Sequence, residues 1–378
     1  MAPSNINITV SVSAGTVNHG NPGLVCTPPY WYDYVIFFFS NYFAHAATVI
    51  STPARHWLGT VEIMVLALVL PVSGITRACS AIRNHAVTEK DPLKKAAKAG
   101  ALCMVVRNYV TITPPDHERE WWDAHAAELG LPLILNHSRT QVDGEYSLQG
   151  GYCLLPLPEG AVLSTPQNEV GSSRLAPSYN FPKLLIGFIQ AIWAIVTLYR
   201  ARGDQVNTYG YAAFGLTVAQ YAFMSVLNIF GNLLRPEYHS KFMVRTPLMD
   251  EAEKKGCHFS GTLTAQLEKG KSLRQVRDDQ KTAMNRDLYS GLLLGLIPLA
   301  IVGGLSGFRV QQSTAMERGF TISWLVVSIA FGPFARLLQR RSSLYPYLSV
   351  LIFGAPTIGG MVVVGRMIGE FGICTRLG

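Results

Sequence analysis

The chain has 378 residues, of which 49% are hydrophobic and 15% charged, with a formal net charge of +8. Soluble proteins average about 25% charged residues, so this composition excludes a disordered chain, whose signature is high charge and few aromatics, and argues against a cytosolic globule. The basic residues fall between long apolar runs and not on one solvated face, which argues against a nucleic-acid binder. The reading is an integral membrane protein.

Residues 1–30 form a tail with no Lys or Arg and no apolar stretch, so nothing in it resembles a cleaved signal peptide. Targeting falls to the first membrane helix. A bilayer core of about 30 Å takes roughly 20 mostly apolar residues in a helix, and seven stretches meet that length: 31–50, 58–76, 184–199, 209–234, 288–308, 320–338 and 347–368. Pro71, Pro298, Pro333 and Pro356 lie inside these runs; membrane helices accommodate proline where neighbours satisfy the freed carbonyl. A shorter run at 96–112 is bracketed by Lys98 and Arg107 and reads as a strand or surface segment of a soluble part.

Between the second and third runs, residues 77–182 are too long for a plain loop. Thr113-Pro114-Pro115-Asp116 reads as a helix start, with the helix continuing to about Leu129 and carrying Trp121 and Trp122. Short apolar runs at 131–135, 152–157 and 161–163 read as strands. His117, Glu118, Asp123 and His125 lack the H-E-x-x-H spacing of a zinc helix and read as a solvated face. The 235–286 stretch is polar and basic and reads as a loop with a surface helix. The expected fold is mainly α: a polytopic transmembrane bundle of about seven helices with a small cytoplasmic α+β insertion. Its divisions are 1–30, 31–76, 77–182, 183–234, 235–286 and 287–378.

Lys and Arg are retained on the cytoplasmic side. With seven crossings, 25 of the 32 basic residues fall on the face that carries both long loops. Only Arg55, Arg200, Arg202, Arg309, Arg318, Arg366 and Arg376 fall opposite. That split places the N-terminus in the cytoplasm and the C-terminus outside, so Cys26 and Cys374 are expected on opposite sides and unpaired. Asn7-Ile8-Thr9 is a glycosylation sequon and speaks for the reverse orientation of the tail. The six cysteines form no C-x-x-C pair and no zinc spacing, and neither a metal nor a cofactor is expected.

Polar groups within membrane segments mark function by default. Tyr34, Asn41, His45 and Thr48 share one face of the first helix, and Glu62 sits about one turn into the second. A buried glutamate holds its proton, and a neighbouring histidine could hold or relay it. In the fourth helix Thr217, Tyr221, Ser225, Asn228 and Asn232 recur at steps of four, four, three and four, a single polar stripe that suggests a cavity wall. Gly291-x-x-x-Gly295, Gly303-Gly304 and Gly359-Gly360 suggest close helix approach.

The blocks Asn41-Tyr42-Phe43-Ala44-His45-Ala46-Ala47-Thr48-Val49, Gly100 to Arg107, Tyr211 to Thr217 and Asn228-Ile229-Phe230-Gly231-Asn232 resemble those of a family of fungal multi-pass membrane proteins without an assigned reaction, some encoded near secondary-metabolite genes. The resemblance implies a lipophilic metabolite as ligand and nothing further about chemistry; the expected location is the endoplasmic reticulum or another endomembrane ahead of the plasma membrane. Three readings stand side by side. In the first, a membrane-embedded acid/base cyclase or isomerase uses Glu62 as proton donor and His45 as its partner, with Asn41, Thr217, Tyr221, Ser225, Asn228 and Asn232 holding the substrate. In the second, the same groups pass or sense a solute; in the third, the chain is a scaffold. The expected partners are the lipid bilayer and a lipophilic small molecule, with no nucleic acid.

Overall fold

The computed structural model describes residues 12–21, 23–54, 56–107, 140–149, 151–157, 163–164, 175–263, 266–267, 273–334 and 345–376. The expected helix at 113–129, with its Trp and His residues, and the expected strand at 131–135 lie outside these residues.

Strand β1 (Leu24–Thr27) leads into helix α1 (Trp31–Phe38), a π-helical turn at Phe39–Phe43 and helix α2 (Ala44–Ala47). The joining residues keep right-handed helical dihedrals, so these pieces form one rod. Side chains bond back along the rod at the π turn: Ser40 Oγ donates to Ile36 O at 2.6 Å and Asn41 Nδ2 to Phe37 O at 3.0 Å.

The second apolar run is not one continuous helix. It is cut into α3 (Trp57–Val69) and α4 (Pro71–Asn84), bent by 117° at Leu70. Pro71 is the cause, because it supplies no backbone N–H and its ring collides with the carbonyl four residues back. The freed groups at the break are taken by three other helices. Tyr221 Oη donates to Leu68 O, Thr357 Oγ1 donates to Val69 O at 2.8 Å, and Val72 N donates to Ser328 Oγ at 3.1 Å.

Helix α5 (Pro92–Ala99) is capped by Asp91 and ended by Gly100 in the left-handed region at φ 75°. Then come β2 (Leu102–Arg107), β3 (Tyr146–Ser147), β4 (Tyr152–Pro156) and β5 (Leu163–Ser164). Helix α6 (Phe181–Ala201), short α7 (Asp204–Tyr209) and a 3-10 turn at Phe214–Val218 lead into α8 (Ala219–Leu234). The remainder comprises β6 (Phe242–Met243), α9 (Pro247–Lys254), β7 (His258–Phe259), β8 (Gln266–Leu267), α10 (Leu273–Ser306), α11 (Ala315–Phe331), α12 (Tyr345–Phe371) and β9 (Ile373–Arg376). Four segments are long and apolar enough to cross a membrane: 181–201, 214–234, 285–306 and 352–371. Their outer faces expose large apolar side chains, among them Phe181, Leu185, Phe188, Ile192, Leu293, Ile358 and Val362. A belt of that size on a soluble monomer would be anomalous, whereas lipid is its natural solvent.

The bundle has two distinct ends. At one, β1 and β9 pair antiparallel and Cys26 is disulfide-bonded to Cys374. The connections 202–213 and 307–314 close over the same end, with Tyr211 N bonded to Arg309 O and Gln312 N to Thr208 O. This corrects the expectation that Cys26 and Cys374 stay apart. Counting the bent pair α3–α4 as one span raises the candidates to five among the described residues, so the expected bundle of about seven crossing helices is not confirmed.

At the other end sits a domain with its own apolar core. Both long loops build it. The sheet order is β4-β2-β6, with β2 antiparallel to β4 and parallel to β6; β3 pairs with β7 and β5 with β8. The 77–182 and 235–286 stretches, read separately in the sequence, therefore interlock strand by strand. The described part of the weak candidate at 96–112, residues 96–107, falls in this domain within α5 and β2, and Val105 and Val106 are fully buried there. The expected strand at 152–157 is β4, and the expected surface helix in the basic loop is α9, capped by Thr246. Arg235 ties the domain to the bundle by donating to Ala99 O at 3.1 and 2.6 Å.

Candidate functional site

Helix α8 carries the polar stripe, and the stripe faces inward. Tyr221, Ser225 and Asn228 are buried, while Thr217 and Asn232 at its ends are half-buried. The apolar residues Phe230 and Leu233 face outward. From Thr217 to Asn232 is a run of 15 residue steps, about 22 Å at 1.5 Å per residue.

The facing wall is the α1–α2 rod. Thr217 Oγ1 and Tyr42 Oη are hydrogen-bonded at 2.6 Å, and His45 Nδ1 meets Ser225 Oγ at 2.6 Å. Asn232 Nδ2 donates to Thr48 O at 3.2 Å. Asn41 Oδ1 accepts from Thr197 Oγ1 of α6 at 3.0 Å, so Asn41 joins two helices at the rim of the seam. Tyr42, Tyr221 and Trp324 form an aromatic cluster beside it, with centroids 5.0 to 5.9 Å apart.

Close approach of α4 to α8 makes the seam narrow. A Cβ on Gly74 would fall 2.4 Å from Met224 Sδ, and one on Gly231 would fall 2.3 Å from Ile50 Cδ1. The glycine motifs singled out in the sequence serve the same end. Gly291 and Gly295 of α10 lie against Thr76 and Val72 of α4, and Gly359 and Gly360 of α12 lie against Phe320 and Trp324 of α11. Gly303 meets Phe308, whereas Gly304 faces open space.

Not every polar atom in the seam is matched. His45 Nε2 and both amide atoms of Asn228 are buried without a hydrogen-bond partner among the described residues, as are Ser73 Oγ and Trp324 Nε1. Each unmatched buried polar group costs about 1–3 kcal/mol, and such groups are rare enough in native cores to need a reason.

The seam ends in a recess at either side. Towards the disulfide end a small one is lined by Tyr211, Thr217, Gln220 and Thr321. At the domain end a wider one, about 660 Å³ including the part open to solvent, is lined by Ser51, Thr52, Asn232, Arg235, Tyr238 and His239. Burial pushes the Tyr238 phenol up to about 12. Neither recess is lined by Ser225 or Asn228.

No hydrogen bond joins His45 to Glu62. His45 is fully buried, with Nδ1 on Ser225 and Nε2 unmatched, whereas Glu62 is half-buried on α3. Helix α3 starts at the domain end, where Ala54 N is bonded to Tyr238 O, so Glu62 lies in that half of the bundle. The sequence signal missed three residues at the helix break: Ser73, Ser328 and Thr357. Each looks like an isolated hydroxyl in an apolar run, and only the bend at Leu70 gathers them.

Among the described residues, one group of three close metal-ligating side chains exists, His19 with Cys26 and Cys374. Its sulfurs are bonded to each other, and His19 stacks on Phe371 and bonds to its carbonyl at 2.8 Å. No family model matches the chain, and neither does any curated protein or solved structure.

Proposed function

We propose that the chain is a membrane transport protein in a closed state, with six crossing helices and one re-entrant helical hairpin. The crossings are the α1–α2 rod, α6, the 214–234 segment, α10, α11 and α12, and the hairpin is α3–α4. A helix that turns by 117° at Leu70 heads back towards the end it came from, as the domain-end positions of Ala54 and Arg83, the latter ion-paired to Asp287, indicate. Thr357, which caps the break, is 14 residues from Phe371 at the disulfide end, about 21 Å of helix. Helix breaks within the membrane and polar groups at that depth are how transporters build solute sites.

The observation that carries the reading is the inward polar stripe of α8, which joins a recess at each end and holds unmatched buried groups at His45 and Asn228 in between. A lipophilic-substrate enzyme would need a chamber beside His45, and neither recess is lined by that residue. The solute is small and polar, or a proton carried by His45.

The test is reconstitution into liposomes. Entry of urea, glycerol, amino acids and sugars is followed by light scattering, and entry of protons by a trapped pH dye. At least one solute should enter faster than in protein-free liposomes and lose that advantage in Ser225→Leu, with folding of the variant checked by thermal melting. Rates equal to protein-free liposomes for the whole panel would overturn the reading.

A further inference from the structure

The two ends of the bundle differ in redox state and charge as well as in shape. Both oxidised cysteines, Cys26 and Cys374, are at the disulfide end. The free ones are elsewhere: Cys103, Cys153 and Cys257 are buried in the domain, and Cys79 is in α4, which runs towards the domain end. Disulfides persist in oxidising compartments and thiols in reducing ones.

The basic residues divide the same way. With six crossings and a hairpin, the connection holding Arg55 moves to the domain side. The split becomes 26 to 6, the minority being Arg200, Arg202, Arg309, Arg318, Arg366 and Arg376. The positive side is the cytoplasmic one. In the seven-helix arrangement the sequon at Asn7 opposed the charge count; in this one the two agree.

We propose that both tails face the exoplasmic compartment, the interlocked domain faces the cytosol, and Asn7 is an N-glycan acceptor. Asn7 precedes Trp31, the first residue of the α1 rod, by 24 positions. The chain carries a second sequon, Asn136-His137-Ser138, in the loop that contributes to the domain. The two sequons therefore lie on opposite sides, and only one can meet the glycosylation machinery.

The full chain is translated with microsomes, as wild type and as Asn7→Gln and Asn136→Gln, and treated with or without a glycan-removing amidase. One glycan is expected, retained in Asn136→Gln and lost in Asn7→Gln. In intact microsomes, added protease should cut within the 77–182 and 235–286 stretches and spare a tag on the N-terminus. A glycan that disappears in Asn136→Gln, or an N-terminal tag open to protease, overturns the orientation. A protected tag on an unglycosylated chain overturns the acceptor role of Asn7. The outcome is independent of whether any solute crosses the liposome membrane, so this assignment and the transport reading fail separately.

Discussion

Replacing Thr357 with valine probes the break in the α3–α4 hairpin. Thr357 is 1% exposed, and its hydroxyl donates to Val69 O at 2.8 Å. In an unbroken helix that carbonyl would accept from Ser73 N, but Ser73 N is turned to Leu70 O at 2.8 Å. Valine keeps the volume and the branching and leaves the carbonyl bare in an apolar core. An unmatched buried acceptor costs about 1–3 kcal/mol, and interhelical hydrogen bonds in membranes contribute about 0.6 on average and 1.7 at most. The expected loss is therefore about 1–1.7 kcal/mol. Thr321→Val is the internal control: its hydroxyl bonds back to Glu317 O in its own helix, a carbonyl that the helix ladder already pairs. It should cost less than about 0.5 kcal/mol, the low end for a single hydrogen bond. Unfolding in mixed micelles with rising dodecyl sulfate, followed by circular dichroism, gives both values. Equal losses in the two variants would show that water reaches the break and would refute the closed, dry arrangement.

Asn228→Leu keeps the side-chain shape and removes two unmatched amide atoms, so thermal stability should hold or rise while liposome flux falls; a loss above about 2 kcal/mol would mean that the amide is hydrogen-bonded after all. Gly360→Ala should lower stability by about 1–3 kcal/mol, read by thermal melting, because the new Cβ would fall 2.6 Å from the buried Trp324 ring, which cannot swing aside; an unchanged melting temperature would refute the close packing of α11 on α12. Burial pushes the Cys103 and Cys153 thiols up to about 12 and about 11. The unfolded chain ionises these groups near pH 8.5 while the folded domain holds them neutral, so domain stability is full below about pH 8 and falls as pH rises above 9. Chemical denaturation at pH 7 and pH 10 checks the sign, and Cys103→Ala/Cys153→Ala should flatten the dependence.

The inward direction of the α8 stripe was legible because 3.6-residue periodicity alone puts Thr217, Tyr221, Ser225 and Asn228 on one side. What that side faces was not, since the width of the seam depends on Gly74 and Gly231 meeting Met224 and Ile50 across helices. The second apolar run misled for a local reason: hydropathy counts Pro71 as one more tolerated residue, while the backbone treats it as a stop. In the proposed six-crossing arrangement, reading that run as a full span is what makes the crossings odd, separates Cys26 from Cys374 and sets the sequon against the charge split. The interlocking of the two long loops was likewise hidden, because β6, β7 and β8 are two residues each and carry no periodic signal of their own.

The most direct test of the polar seam as a path is thiol accessibility along α8. Single cysteines at Thr217, Ser225 and Asn232 are offered a membrane-impermeant maleimide from either side of sealed vesicles. All four native free cysteines are buried, so the background is low. The expected result is labelling at position 217 from the disulfide end, at 232 from the domain end, and slow labelling at 225 from both, as the seam opens to each side in turn. A cysteine at 225 that stays unlabelled from both sides, with 217 and 232 reactive, would contradict the path and leave the stripe as a packing seam.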